Sequence, residues 1–130
     1  MSRAFEQISP GFFPEMLELE SLMQEFPQFL RVTQVNQVEY RHKTFPLYCL
    51  EIGSDSPKAP TFGLFGGVHG LERIGTQVIL VFLRSYLSAL TWDKTCQDRL
   101  SQSRLVLMPI VNPVGMFHFR RSNGNNVDLM

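Results

Sequence analysis

The chain has 130 residues, 44% of them hydrophobic, with 9 glycines and 8 prolines spread along its length, the profile of a single soluble globular domain rather than a disordered or fibrous one. Charged residues make up only 18% and twelve acids balance twelve bases, so no basic field is available to draw in nucleic acid or an anionic membrane. Cys49 and Cys96 are the only cysteines and form neither a disulfide framework nor a zinc-ribbon pair. Acids and prolines interrupt the first sixteen residues where a signal peptide needs an apolar core, and no apolar run reaches about eighteen residues, so a reducing, cytoplasmic location is expected.

In chain order, Pro14 opens a helical spacing of Met16, Leu19, Leu22, Met23 and Phe26 that stops before Pro27, which predicts a first amphipathic helix. Residues 31–52 read as two strands joined by a turn at Arg41-His42-Lys43. A loop, GSDSPKAP, follows. Residues 61–68, TFGLFGGV, are short, apolar and aromatic, as a strand buried on both faces should be, and they lead directly into His69. From about Leu71 to Leu90, the positions Leu71, Ile74, Val78, Phe82, Tyr86 and Leu90 recur every three or four residues, predicting a long helix that faces the core with those side chains. The stretch DKTCQDRLSQS is a weaker helical or turn candidate. RLVLMPIVN predicts another buried strand ending at the turn Asn112-Pro113-Val114-Gly115. Residues 116–130 show no period.

Strand, long helical crossover and strand imply a parallel pair, and with it an α/β class: a mixed sheet with a parallel core and flanking helices. Ligands of such sheets bind beyond the carboxyl ends of the strands, where His69 and Asn112 both fall. Gly66, Gly67 and Gly70 let the backbone turn there, placing Glu72 in the first turn of the helix, where it can converge with His69 on one cation. A glutamate at a helix start is also favoured by the macrodipole alone. No G-x-G-x-x-G spacing or P-loop supports nucleotide binding.

Four short stretches, GGVHGLE, VNPVG (111–115), RSN (121–123) and VDL (127–129), occur in the order and approximate spacing of the zinc metallocarboxypeptidase superfamily, which includes the aspartoacylase and succinylglutamate desuccinylase deacylases. The sequence resembles that superfamily over about residues 60–130. The resemblance implies a carboxypeptidase-like (phosphorylase/hydrolase-like) fold and Zn2+ held by His69 and Glu72, with a second histidine and an acid/base glutamate further along the chain. Three protein ligands leave one zinc position for a water whose pKa falls to about 7. Arg121 matches the arginine that polarises the scissile carbonyl and stabilises the oxyanion; its plainer reading is a solvated loop arginine, like its neighbour Arg120. Asp128 matches the aspartate that accepts the ring N–H of the metal-bound histidine; its plainer reading is a turn or capping acid. Asn123 is expected to order the loop and lie against substrate, while Asn112, Pro113 and Gly115 aim the loop at the site. His42, in the hairpin turn, and His118 match no ligand position.

Met130 departs from the pattern, standing where the superfamily usually has an asparagine that holds a substrate carboxylate. The chain is therefore expected to be the N-terminal part of a single catalytic domain, incomplete at its C-terminus. Its substrate is expected to be a peptide C-terminus or, second, an N-acyl amino acid; a metal-free relative of the same fold is the third reading.

Overall fold

The computed structural model describes residues 13–129; Met130 and the residues before Phe13 lie outside that range. Helix α1 (Pro14–Glu25) starts with Pro14 in its first turn and ends as the Phe26 N–H bonds the Leu22 carbonyl. It buries Met16, Leu19, Leu22 and Met23, the stripe its spacing predicts. Strands β1 (Arg31–Tyr40) and β2 (Lys43–Gly53) form the expected antiparallel hairpin. Tyr40 pairs with Lys43, so only Arg41 and His42 make the turn, both with positive φ (51° and 66°). Two left-handed residues match the twist of the flanking strands, a geometry usually given to Asn-Gly and costly for bulky side chains.

Strand β3 (Thr61–Phe65), helices α2 (Ile74–Leu90) and α3 (Lys94–Leu100), and strand β4 (Arg104–Met108) supply the crossover. Asp93 caps α3 by accepting from the Thr95 and Cys96 N–H groups at 3.0 and 3.3 Å. The sheet order is β1-β2-β4-β3, with β3 and β4 parallel and the other pairs antiparallel. This is the mixed sheet with flanking helices that the sequence predicts. Beyond β4 comes the five-residue helix α4 (Pro113–Phe117). Phe13, Phe45, Leu50, Ile52, Leu83, Leu87, Leu107 and Met116 sit in one core shared by α1, α2, α4 and the sheet.

Three expectations are corrected. β3 ends at Phe65 and lies at the sheet's edge, with Phe62 62% and Phe65 58% exposed. An apolar run reads the same whether or not a second neighbouring strand is present, and among the described residues β4 is its only one. Helix α2 turns a different stripe inward: Thr76, Ile79, Leu80, Leu83, Leu87 and Leu90 are buried, whereas Leu71, Ile74, Val78 and Phe82 are exposed. VILVFL is apolar all round the helix, so periodicity alone fits either face. Finally, α2 begins at Ile74 rather than near Leu71, which leaves Glu72 in the turn before it.

Candidate active site

The site grows from the junction of two loops at the carboxyl ends of β3 and β4. The parallel ladder continues past both strands, because Gly66 N–H bonds Met108 O and the Val111 and Asn112 N–H groups bond Gly66 O and Gly67 O at 2.9 and 2.8 Å. Gly67 turns the chain with φ of 68°, close against Met116 and Thr76. Gly70 then passes Gly115 backbone to backbone; a Cβ there would lie 2.0 Å from the Gly115 carbonyl carbon. No other residue fits, and the contact presses the His69 turn onto α4.

Asn112 locks this junction from inside and is almost wholly buried. Its Oδ1 caps α4 by accepting the Gly115 N–H at 2.9 Å, while its Nδ2 donates to Val68 O at 3.2 Å and Ser122 O at 3.1 Å. One amide thus ties the residue before His69 to the residue after Arg121. The sequence reading of Asn112 as punctuation that aims the loop agrees with these bonds.

His69, Glu72, Arg121 and Asp128 close into a ring. His69 Nδ1 stands 3.4 Å from Glu72 Oε2, Arg121 Nη1 3.5 Å from Glu72 Oε1, and Arg121 Nε donates to Asp128 Oδ2 at 2.8 Å. The fourth side is His69 Nε2 to Asp128 Oδ1, at 3.1 Å. The carboxylate sits off the ring N–H line, so Nε2 is buried without a well-directed hydrogen-bond partner. The His69 side chain is 14% exposed and Glu72 62%, so the ring has a sheltered end and an open one. Arg121 bonded to Asp128 holds that carboxyl below the usual carboxylate range, with His69 adding to the effect, and Asp128 in turn raises the guanidinium.

Asn123 spends its Oδ1 on the Asn125 and Val127 N–H groups at 3.0 and 2.9 Å, which makes it the organiser of the loop carrying Asp128. Arg120 is not a solvated bystander: it stacks on Tyr40 with its carbon 5.3 Å from the ring centre and donates to Asn123 O at 2.6 Å. His118 packs edge-on against Tyr40 and Phe117. Burial lowers its pKa, and Arg120, Arg41 and Lys43 add to that effect. His42 is exposed at the hairpin turn. Neither histidine joins His69. Among the described residues, no group of three His, Cys, Asp or Glu side chains is arranged to hold a metal.

Sequence reasoning missed the support behind Glu72. Arg73 turns the other way, into the protein, where its Nε donates to Glu15 Oε2 at 2.8 Å and its two Nη groups reach Glu15 Oε1 and the Met116 carbonyl. Gln77 Nε2 adds a bond to Glu15 Oε2 at 3.2 Å, and Phe119 lies under the guanidinium, 4.6 Å from its carbon. Burial pushes the Glu15 carboxyl up, but these donors and its own N–H outweigh it and hold the group below the usual range. An arginine and a glutamate 58 positions apart leave no local signature; the only cue was an acid in the first turn of α1, which the macrodipole already explains.

Known proteins resemble this chain in sequence and fold. The zinc carboxypeptidase family matches residues 17–130. Carboxypeptidase SOL1 of Arabidopsis thaliana is 31% identical over 117 residues, covering 86% of this chain and 24% of that protein. Human carboxypeptidase D is 30% identical over 148 aligned positions, covering 98% of this chain and 10% of the relative. The chain therefore spans a quarter or less of these relatives' lengths. A metallo-carboxypeptidase from Burkholderia cenocepacia superposes with a TM-score of 0.71 at 18% identity, covering 96% of this chain and 32% of that one. Thrombin-activatable fibrinolysis inhibitor does so with a TM-score of 0.64 at 20% identity, covering 81% and 27%. These two likenesses show the fold. On a match that takes in all but the first sixteen residues, the chain belongs to the zinc carboxypeptidase family.

Proposed function

We propose that the chain is the N-terminal part of a single catalytic domain of a zinc-dependent amide hydrolase, a metallocarboxypeptidase acting on peptide C-termini. The observation that carries this reading is the closed ring of His69, Glu72, Arg121 and Asp128 at the strand ends. His69 and Glu72 would hold the zinc. Zinc held at Nδ1, the nitrogen on the Glu72 side, would leave the ring proton on Nε2, 3.1 Å from the Asp128 carboxylate. Bound zinc would supply Lewis acidity, polarising a carbonyl and lowering the pKa of a water to about 7.

Asp128 has two tasks, orienting His69 and holding Arg121. Arg121 uses Nε and Nη1 within the ring, and its forked donors suit a substrate carbonyl oxygen and the oxyanion that forms from it. Asn123 acts on substrate through the shape of the loop it orders. A catalytic zinc takes three protein ligands, so the third ligand and the group that transfers protons belong to residues outside 13–129. Met130, at the usual asparagine position, favours the N-acyl amino acid deacylases as a second reading; the carboxypeptidase relatives favour the first.

The test uses this chain beside the intact protein. After dialysis, elemental analysis should find one zinc per intact molecule and little on the 130-residue chain, and only the intact protein should hydrolyse C-terminal peptide substrates. His69→Ala should abolish both properties. Zinc retained by the intact His69→Ala protein would refute the site.

A further inference from the structure

We propose that Arg73 is a positioning residue for the metal site: anchored to buried Glu15 and the Met116 carbonyl, it fixes the turn that presents Glu72 to His69. The inference rests on the zinc reading above and names the part of the chain that makes the turn rigid. Glu72 cannot hold itself. It lies outside α2, its side chain is mostly exposed, and its contacts to His69 and Arg121 are long, at 3.4 and 3.5 Å. Its backbone is tied by one turn bond, Glu72 N–H to His69 O at 3.1 Å.

Helix starts are usually pinned by a Ser, Thr, Asp or Asn whose side chain accepts a backbone N–H. At α2 that position is Arg73, which makes no such bond. The start of the helix is pinned instead by tertiary contacts, since the Arg73 guanidinium spans Glu15 of α1 and the last turn of α4, with Phe119 stacked beneath it. Gln77, one turn into α2, bonds the same carboxylate. Three helices are thereby joined at the residue following Glu72. A bidentate arginine pair fixes direction as well as distance, which lysine cannot reproduce. Meanwhile Arg73 touches neither His69 nor the open end of the ring, so its influence on the metal passes through the backbone of Glu72.

The experiment compares Arg73→Met, Arg73→Lys and the double variant Glu15→Met/Arg73→Met with Leu83→Ala, a core change in α2 away from the turn, in the intact protein. Two quantities are read under conditions where every variant is folded: zinc affinity by chelator competition, and amide exchange of Glu72 in the metal-free protein. Arg73→Met should weaken zinc binding about ten- to a hundredfold, the range typical of losing the support behind a ligand. It should also speed Glu72 exchange at least about tenfold, and Arg73→Lys should recover little of either. The double variant should regain thermal stability without regaining zinc affinity. Leu83→Ala should lower the melting temperature and leave zinc affinity and Glu72 exchange near wild type. Wild-type zinc affinity and Glu72 exchange in folded Arg73→Met would overturn the proposal. If the wild-type protein bound no zinc, the functional reading would fall, and Glu72 exchange would still decide whether Arg73 fixes the turn.

Discussion

Two arginine–carboxylate pairs flank the His69 turn, and they differ in everything except chemistry. Glu15 is buried and Arg73 mostly so, and the pair is bidentate and tied to a third group; Arg121 and Asp128 are about half exposed and share their charges with His69 and Glu72. A buried pair is bound to its geometry because either charge left alone in the interior is costly, whereas an exposed pair is worth little to stability and stays free to change partners. The family's motif contains the second pair. The first is what gives the motif a fixed platform.

The strongest way to break this contrast is Glu15→Ala. It strands the Arg73 charge, and urea denaturation should show a loss of about 3–5 kcal/mol. Glu15→Met/Arg73→Met should recover most of that loss, because removing both charges removes the penalty. A cost below about 1 kcal/mol for Glu15→Ala would mean that the two pairs are equivalent after all. Acid should act on this pair as well: a carboxyl held below its unfolded value stabilises the fold above the unfolded pKa and loses that contribution as pH falls through the folded one.

A third carboxylate sharpens the comparison by having no arginine. Glu20 is buried on α1, accepts the Tyr48 hydroxyl at 2.9 Å and leaves its Oε1 without a partner. Burial raises its pKa from 4.5 to about 7, with the Tyr48 bond opposing, and burial together with the Glu20 charge pushes the Tyr48 phenol up. Below pH 4.5 the group is protonated in both states and contributes nothing. Between 4.5 and about 7 the folded protein keeps a proton that the unfolded chain has released, so stability falls as pH rises, by about 1–3 kcal/mol in all. Glu20→Gln should flatten that slope in melts at pH 5 and pH 8; an unchanged slope would assign it to another group.

The smallest effect on stability is expected at the exposed pair. Asp128→Asn should cost no more than about 1 kcal/mol in the same denaturation, yet, on the proposed role of Asp128 in orienting His69, weaken zinc affinity in the intact protein about ten- to a hundredfold. Unchanged affinity in a competition titration would refute its role.

What the sequence disclosed follows the same division. His69, Glu72, Arg121 and Asp128 were legible because motif chemistry is local, and the structure draws all four into one ring. The hairpin and the parallel crossover were legible from β-rich runs flanking the Arg41-His42-Lys43 turn and from the order strand, long helix, strand. The inward face of α2 was not, since Ile74, Val78 and Phe82 form as good a stripe as Ile79, Leu83 and Leu87. Only tertiary packing chooses between them. The departure of Glu72 from the helix depends on Gly70 meeting Gly115 and on Arg73 finding Glu15, contacts that span 45 and 58 positions of chain and follow no spacing rule.

Among the described residues the sheet's two edges differ, with a consequence for the 130-residue chain in solution. On one side β1 sets Thr33, Gln34, Asn36, Gln37 and Glu39 among exposed Val32 and Val35 and is broken by an irregularity between Gln34 and Asn36, which discourages a foreign strand from adding to it. On the other side β3 offers Phe62, Gly63, Leu64 and Phe65 with no charge and no bulge, and Ile74, Val78 and Phe82 of α2 are exposed as well. That edge is a template for strand addition by any like chain. With a net charge of zero and a pI near 6.8, colloidal repulsion is weakest at neutral pH. The 130-residue chain on its own should therefore precipitate most readily near pH 7 and stay dispersed longest well away from it.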